Sequence, residues 1–226
     1  GFIEPGSSSI AGLEALRTAD LLVVFLRFQD FDDAEMRHIA EYLDQGKPVM
    51  GLRTATHAFQ IQRPDATYRK YDWHGVPGYE GGFGRQVLGE TWVSHYGTNH
   101  QQSSRLALAA DQATHPILRG VRDVWVQSGG YTAHPIAGST VLARGVILDG
   151  MTPDSPAARD REELPVAWTR TYRGASGQVG RVFTTTHGAS EDLLNDGFRR
   201  MLVNAALWCL GLDASITATS DIGFVG

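Results

Sequence analysis

The chain has 226 residues, 42% of them hydrophobic, which is enough for one domain with a full core. Its net charge of −5 comes from interspersed acids and bases with no Lys/Arg cluster, so nucleic acid is not an expected partner. No apolar run approaches the ~20 residues of a membrane span, no signal-peptide pattern opens the chain, and the single Cys209 excludes a disulfide framework or cysteine-rich metal site.

Leu21 to Leu26 is a short continuous apolar run, the pattern of a strand buried on both faces. Asp32 to Gln45 follows, with Met36, Ile39, Ala40 and Leu43 at helical spacing, Asp32 as N-cap and Gly46 as the stop. Pro48 to Leu52 is the next strand, and a strand–helix–strand series predicts a parallel sheet. From Gln62 to Gly84 the chain is a long loop rich in glycine and aromatics, a composition that argues for a functional segment. Short β-like segments stand at Thr91–Ser94, Arg105–Ala109, Val124–Val126 and Ser139–Leu148, and Asp149 to Glu163 is a solvated loop. A last helix from about Glu191 to Leu210 puts Leu194, Phe198, Met201, Ala205 and Trp208 on one stripe, with Ser190 as N-cap and Gly211 at its end. Trp208→Ala is accordingly expected to cost ~3–5 kcal/mol.

The run Arg181-Val-Phe-Thr-Thr-Thr-His187-Gly-Ala-Ser190 ends a strand on a histidine and feeds that helix. Open α/β sheets bind ligands at the carboxyl edge of their strands, so His187 is the first candidate for acid–base chemistry. Such an edge position predicts that His187→Ala changes stability by less than about 1 kcal/mol. Glu191 or Asp192 would orient it, though both are also explained as first-turn helix acids.

Pro165-Val-Ala-Trp168-Thr-Arg-Thr-Tyr172, Gly180-Arg-Val-Phe-Thr-Thr, the Leu-Val-Asn-Ala-Ala-Leu-Trp208 helix and Gly46-Lys-Pro-Val-Met-Gly-Leu-Arg53 together resemble the ThuA-like (trehalose utilisation) family, from about Leu21 to Trp208. The resemblance implies a class I glutamine amidotransferase-like fold, similar to flavodoxin: one α/β domain with a mostly parallel sheet flanked by helices. Family chains begin with a strand and helix before the segment resembling Gly1 to Ser9, so the first βα unit is expected to be missing. Sugar catabolism is the implied setting, on trehalose and oxidised (3-keto) sugars.

In amidotransferases of this fold a cysteine stands at the turn after the second strand, where this chain has Arg53. Arginine stays protonated and is no nucleophile, so cysteine-dependent glutamine amidotransfer is not expected. Two readings stand for Arg53: its fork binds an anion or a sugar hydroxyl, or it makes a structural ion pair. His57, four residues on, would share its helical face; it is a site residue or a satisfied buried histidine. His95 matches a family histidine and is the third catalytic candidate beside His187 and His57. His95 and His100, five apart, are the candidate ligands of a divalent ion such as zinc or manganese, should one be bound, though His100 also fits an exposed loop histidine. Trp73, His74 and Tyr96 complete the expected substrate site with Arg53, since sugars stack on aromatic rings.

The expectation is a carbohydrate-processing enzyme working by acid–base hydrolysis or rearrangement, with or without a metal, on a small-molecule carbohydrate such as a sugar or oxidised sugar derivative, and a homo-oligomer is compatible with it. The alternatives are a non-catalytic sugar-binding module, or a serine ester hydrolase using Ser94, Ser104 or Ser190, none of which lies in Gly-x-Ser-x-Gly.

Overall fold

The computed structural model describes residues 8–224. The segment 1–7, on which the expectation about a first βα unit falls, lies outside the described residues. In chain order the strands are β1 (Leu22–Val24), β2 (Val49–Leu52), β3 (Gly75–Val76), β4 (Tyr79–Glu80), β5 (His95–Tyr96), β6 (Ser103–Leu108), β7 (Trp125–Val126), β8 (Gly130–Tyr131), β9 (Thr140–Leu148), β10 (Leu164–Arg173) and β11 (Val179–Thr185). The two α-helices are α1 (Asp33–Asp44) and α2 (Asp196–Cys209).

Seven strands form the main sheet in the order β1-β2-β11-β10-β9-β6-β7. The chain is α/β as expected, but the sheet is mixed rather than mostly parallel. β1, β2 and β11 run parallel to one another; from β11 onward the pairs β11–β10, β10–β9, β9–β6 and β6–β7 are all antiparallel. The reason is connection length: the turn between β10 and β11 is too short for a crossover, and a direct hairpin forces antiparallel pairing.

Side chains alternate across β2 and β11, and each strand serves two cores. Val49 and Val182 pack with Met36, Ile39 and Leu43 of α1 on one face, while Met50 and Phe183 pack with Phe198, Met201 and Ala205 of α2 on the other. β1 is an edge strand, and its Val23 and neighbouring Phe25 are each 50% exposed, so it is not buried on both faces.

α1 follows its sequence signals: Asp32 accepts from Glu35 N, and Gly46 takes φ +65° just past the end. The last helix does not start at Glu191. A short 3-10 turn, Ser190–Leu194, comes first, and α2 begins at Asp196, capped by Asn195, whose side chain accepts from Phe198 N. Asp192 turns inward to buried partners, and that breaks the helix. Leu194 consequently lies 66% exposed, off the apolar stripe, and Trp208 is only half-buried. Thr91–Ser94 is not part of any strand; the short ladder begins at His95 and pairs with β8.

Candidate active site

Because β2 and β11 are parallel neighbours, their carboxyl ends reach the same edge of the sheet. Arg53 follows β2 directly and His187 stands two residues beyond β11. Arg53 has φ +45°, a left-handed conformation that costs a non-glycine residue on the order of 1–3 kcal/mol, so the turn is a strained elbow. Its Nη1 donates to Gly129 O at 3.0 Å and its guanidinium carbon lies 5.4 Å from the centre of the Tyr131 ring.

His187 is completely buried. Its Nδ1 is 3.1 Å from Ser128 Oγ, and that hydroxyl is 2.5 Å from Asp192 Oδ2. Asp192 also accepts from the backbone N–H groups of Ser128, Gly188 and Ala189. An acceptor-only carboxylate takes the one Ser128 hydroxyl proton, so Ser128 Oγ must accept from His187 Nδ1–H. The tautomer is thereby fixed, and Nε2, which has no partner, keeps its lone pair. Burial holds the His187 pKa below its ordinary value, against the opposing pull of Asp192. A Cβ placed on Gly130 would stand 3.7 Å from that Nε2, so the nitrogen lies directly behind β8.

His57 is arranged in the same way. Thr56 Oγ1 donates to Arg53 O at 3.4 Å and so accepts from His57 Nδ1 at 3.1 Å, leaving Nε2 for a ligand. Burial first, then the charges of Arg27, His95 and Arg53, press its pKa down to about 4. The segment Arg53–His57 is a 3-10 helix, in which positions i and i+4 are turned roughly 120° apart, so the two side chains do not share a face. They meet through Tyr131 instead, whose ring is 5.6 Å from His57 and 5.4 Å from His95. His95 is exposed, and its pKa is also lowered, by partial burial, then Arg53 and Arg27.

Beside these imidazoles stands an aromatic wall. Trp92 packs on His57 at 5.4 Å and on Trp73 at 5.8 Å, and Phe28 touches both His57 and Trp73. The indole N–H groups of Trp73 and Trp92 are buried without acceptors. Arg53, His57, His95 and His187 thus gather around residues 129–131, and Trp73 reaches them through Trp92.

The other expected residues do not join them. His74 is exposed and bonds Asp72 Oδ1, and its ring touches the site only through Trp73, on which it packs at 3.8 Å. Tyr96, one position after His95 on a strand, faces the opposite way and donates to Glu162 O. His100 is exposed with φ +62° and borders, with Arg53, Asn99, Gln127, Ser128 and Glu191, a cavity of about 80 Å³. Among the described residues no three His, Cys, Asp or Glu side chains stand together as metal ligands, so no third such side chain joins His95 and His100. Ser94 bonds Thr132, Ser104 bonds Ser128 O and Ser190 bonds Glu191, so no nucleophile–histidine pair forms there. Cys209 is buried on α2, and burial raises its thiol pKa to about 12, an inert group.

Sequence reasoning did not single out Ser128, Tyr131, Phe28 or Arg27, and treated Trp92 only as part of a β-like segment. The visible signal was the polar, glycine-rich run Gln127-Ser-Gly-Gly-Tyr131. Asp192 was considered as an orienting acid, and it reaches His187 through Ser128.

The trehalose utilisation family model, ThuA, matches residues 7–209. The chain belongs to the ThuA family. Among solved structures, a putative ThuA-like protein from Bacteroides uniformis ATCC 8492 superposes with a TM-score of 0.53 at 14% identity, covering 91% of this chain and 75% of that one. A second, from Parabacteroides merdae ATCC 43184, gives 0.52 at 14% identity, covering 91% and 74%. At that identity the likeness speaks for the ThuA fold alone. No curated protein matches the sequence.

Proposed function

We propose that the protein is an enzyme acting on a carbohydrate derivative by acid–base chemistry at the histidines around Tyr131. One observation carries this reading: His57 and His187 each have Nδ1 committed to a hydroxyl, so each holds an oriented, neutral Nε2 lone pair. An imidazole kept neutral at pH 7 has its lone pair available to take a proton in the transition state, the role of a general base. His95, at the surface, passes protons to solvent. Trp73 and Trp92 offer rings to a sugar face, and Arg53 holds its oxygen atoms. Arg53 at the elbow and the sealed Cys209 speak against a thiol mechanism. Trehalose, named in the family's description, and its 3-keto form are the first substrates to try.

The test is turnover of such sugars followed by NMR, with His57→Gln and His95→Gln. Both variants should fold and lose turnover; unchanged turnover in both removes the mechanism. Gly130→Ala probes His187 separately. The added methyl meets His187 and Val166 only at 3.6–3.7 Å, an ordinary contact, so the fold should survive while the space in front of the buried Nε2 is filled. A non-catalytic sugar-binding module is the second reading, favoured by the complete burial of His187. Calorimetric binding of these sugars without turnover would select it.

A further inference from the structure

The charges that act on His57, His95 and Tyr131 are of one sign. The Arg27 guanidinium carbon lies 5.4 Å from the centre of the Phe28 ring, and Phe28 packs on His57 at 4.8 Å. On the other side of the cluster the Arg53 guanidinium covers Tyr131 at 5.4 Å. Among the described residues neither arginine forms an ion pair. Arg53 spends a hydrogen bond on a backbone carbonyl, Gly129 O, which leaves most of its five N–H groups free of any carboxylate. Glu191 borders the small cavity beside Arg53 but bonds Ser190 instead. Among the charged side chains acting on His57, His95 and Tyr131, Arg27 and Arg53 recur in all three cases, and no carboxylate does.

Two guanidiniums without a carboxylate partner thus lie beside the half-buried Phe28 and the buried Tyr131. A cationic ligand, the usual guest of an aromatic cage, would be repelled. An anion would be drawn in and held by a planar fork that fits carboxylate and phosphate alike.

We infer that the ligand of this site is a sugar bearing an anionic group, a carboxylate or a phosphate, gripped by Arg27 and Arg53 with its ring against Trp73 and Trp92. The inference rests on the reading of the site as a carbohydrate site. The cavity behind Arg53, about 80 Å³, holds a few waters and not a sugar, so the ring must lie over the open wall.

Calorimetric titration of the full chain with glucose, glucuronate and glucose 6-phosphate tests it, on the unaltered protein, Arg27→Gln and Arg53→Gln. At least one acid should bind on the order of tenfold tighter than glucose, and each variant should lose most of that preference. Raising NaCl to about 0.5 M should weaken the acids and leave glucose unmoved. Whether glucuronate or the phosphate wins identifies the anion. Arg27 is exposed, so Arg27→Gln folds even if the strained elbow at Arg53 resists substitution. Glucose binding as tightly as both acids, with no change in Arg27→Gln, overturns the anionic class and leaves the carbohydrate reading standing. Failure of all three sugars to bind overturns the carbohydrate reading, and this inference with it.

Discussion

His57 is kept neutral by folding, and that has a consequence for stability. Its pKa falls from 6.5 to about 4, through burial and then the cations Arg27, His95 and Arg53. In the unfolded chain the same imidazole protonates near its ordinary value, so below that pH the unfolded state binds a proton that the folded state refuses. Stability from this group is therefore complete above pH 6.5 and drains away as pH falls toward 4. Thermal melts over that range should show a falling midpoint, and His57→Gln should flatten the fall; an unaltered slope would mean that other groups set it. His187 shifts in the same direction. Its complete burial also corrects the near-neutral expectation for His187→Ala, which should cost more than about 1 kcal/mol. Ser128→Ala strands His187 Nδ1–H and removes a bond from Asp192, a loss of about 1–3 kcal/mol by denaturant titration.

At the scale of elements, the break before α2 decides where capping counts. Asn195 accepts from Phe198 N, whereas Ser190 only reaches the exposed Glu191 carboxylate. Asn195→Ala should therefore cost about 1 kcal/mol, as N-caps do, and Ser190→Ala almost nothing. Equal costs in denaturant melts would restore the continuous helix predicted from sequence. Within α2, Phe198 is fully buried, and its replacement by Ala should cost roughly 3–5 kcal/mol. Trp208, half-buried under Arg181, should cost less, contrary to the sequence expectation.

Across the whole molecule, β2 and β11 tie the two cores together by alternation: Val49 and Val182 face α1, Met50 and Phe183 face α2. Neither core keeps its sheet surface if the other is lost. Calorimetry should show one unfolding transition, lowered both by Met36→Ala in the α1 core and by Met50→Ala in the α2 core. Both side chains are buried, and each loss should amount to roughly 2–5 kcal/mol. Two separable transitions would show the cores to be independent. The same pair of strands aligns Arg53 and His187 at one edge, so the site depends on the strands that unite the cores.

What the sequence determined by itself was local or periodic. The Asp32 cap, the four apolar positions of α1 and the Gly46 stop lie within one helix length, and the structure has all of them. Arg53 and His187 were placed at strand ends because an apolar run followed by a turn marks such an end without knowledge of its neighbours. The family, too, was legible, since its motifs are contiguous stretches. What only the tertiary structure decided was partnership across distance. Ser128 lies 59 residues from His187 and 64 from Asp192, and no period in the chain links them. Tyr131 gathers the imidazoles only because the short β5–β8 ladder carries it there. The inward turn of Asp192 and the outward turn of Tyr96 share one cause. Each answers to a hydrogen-bond partner brought in by folding, and buried polar groups must find such partners wherever the chain supplies them.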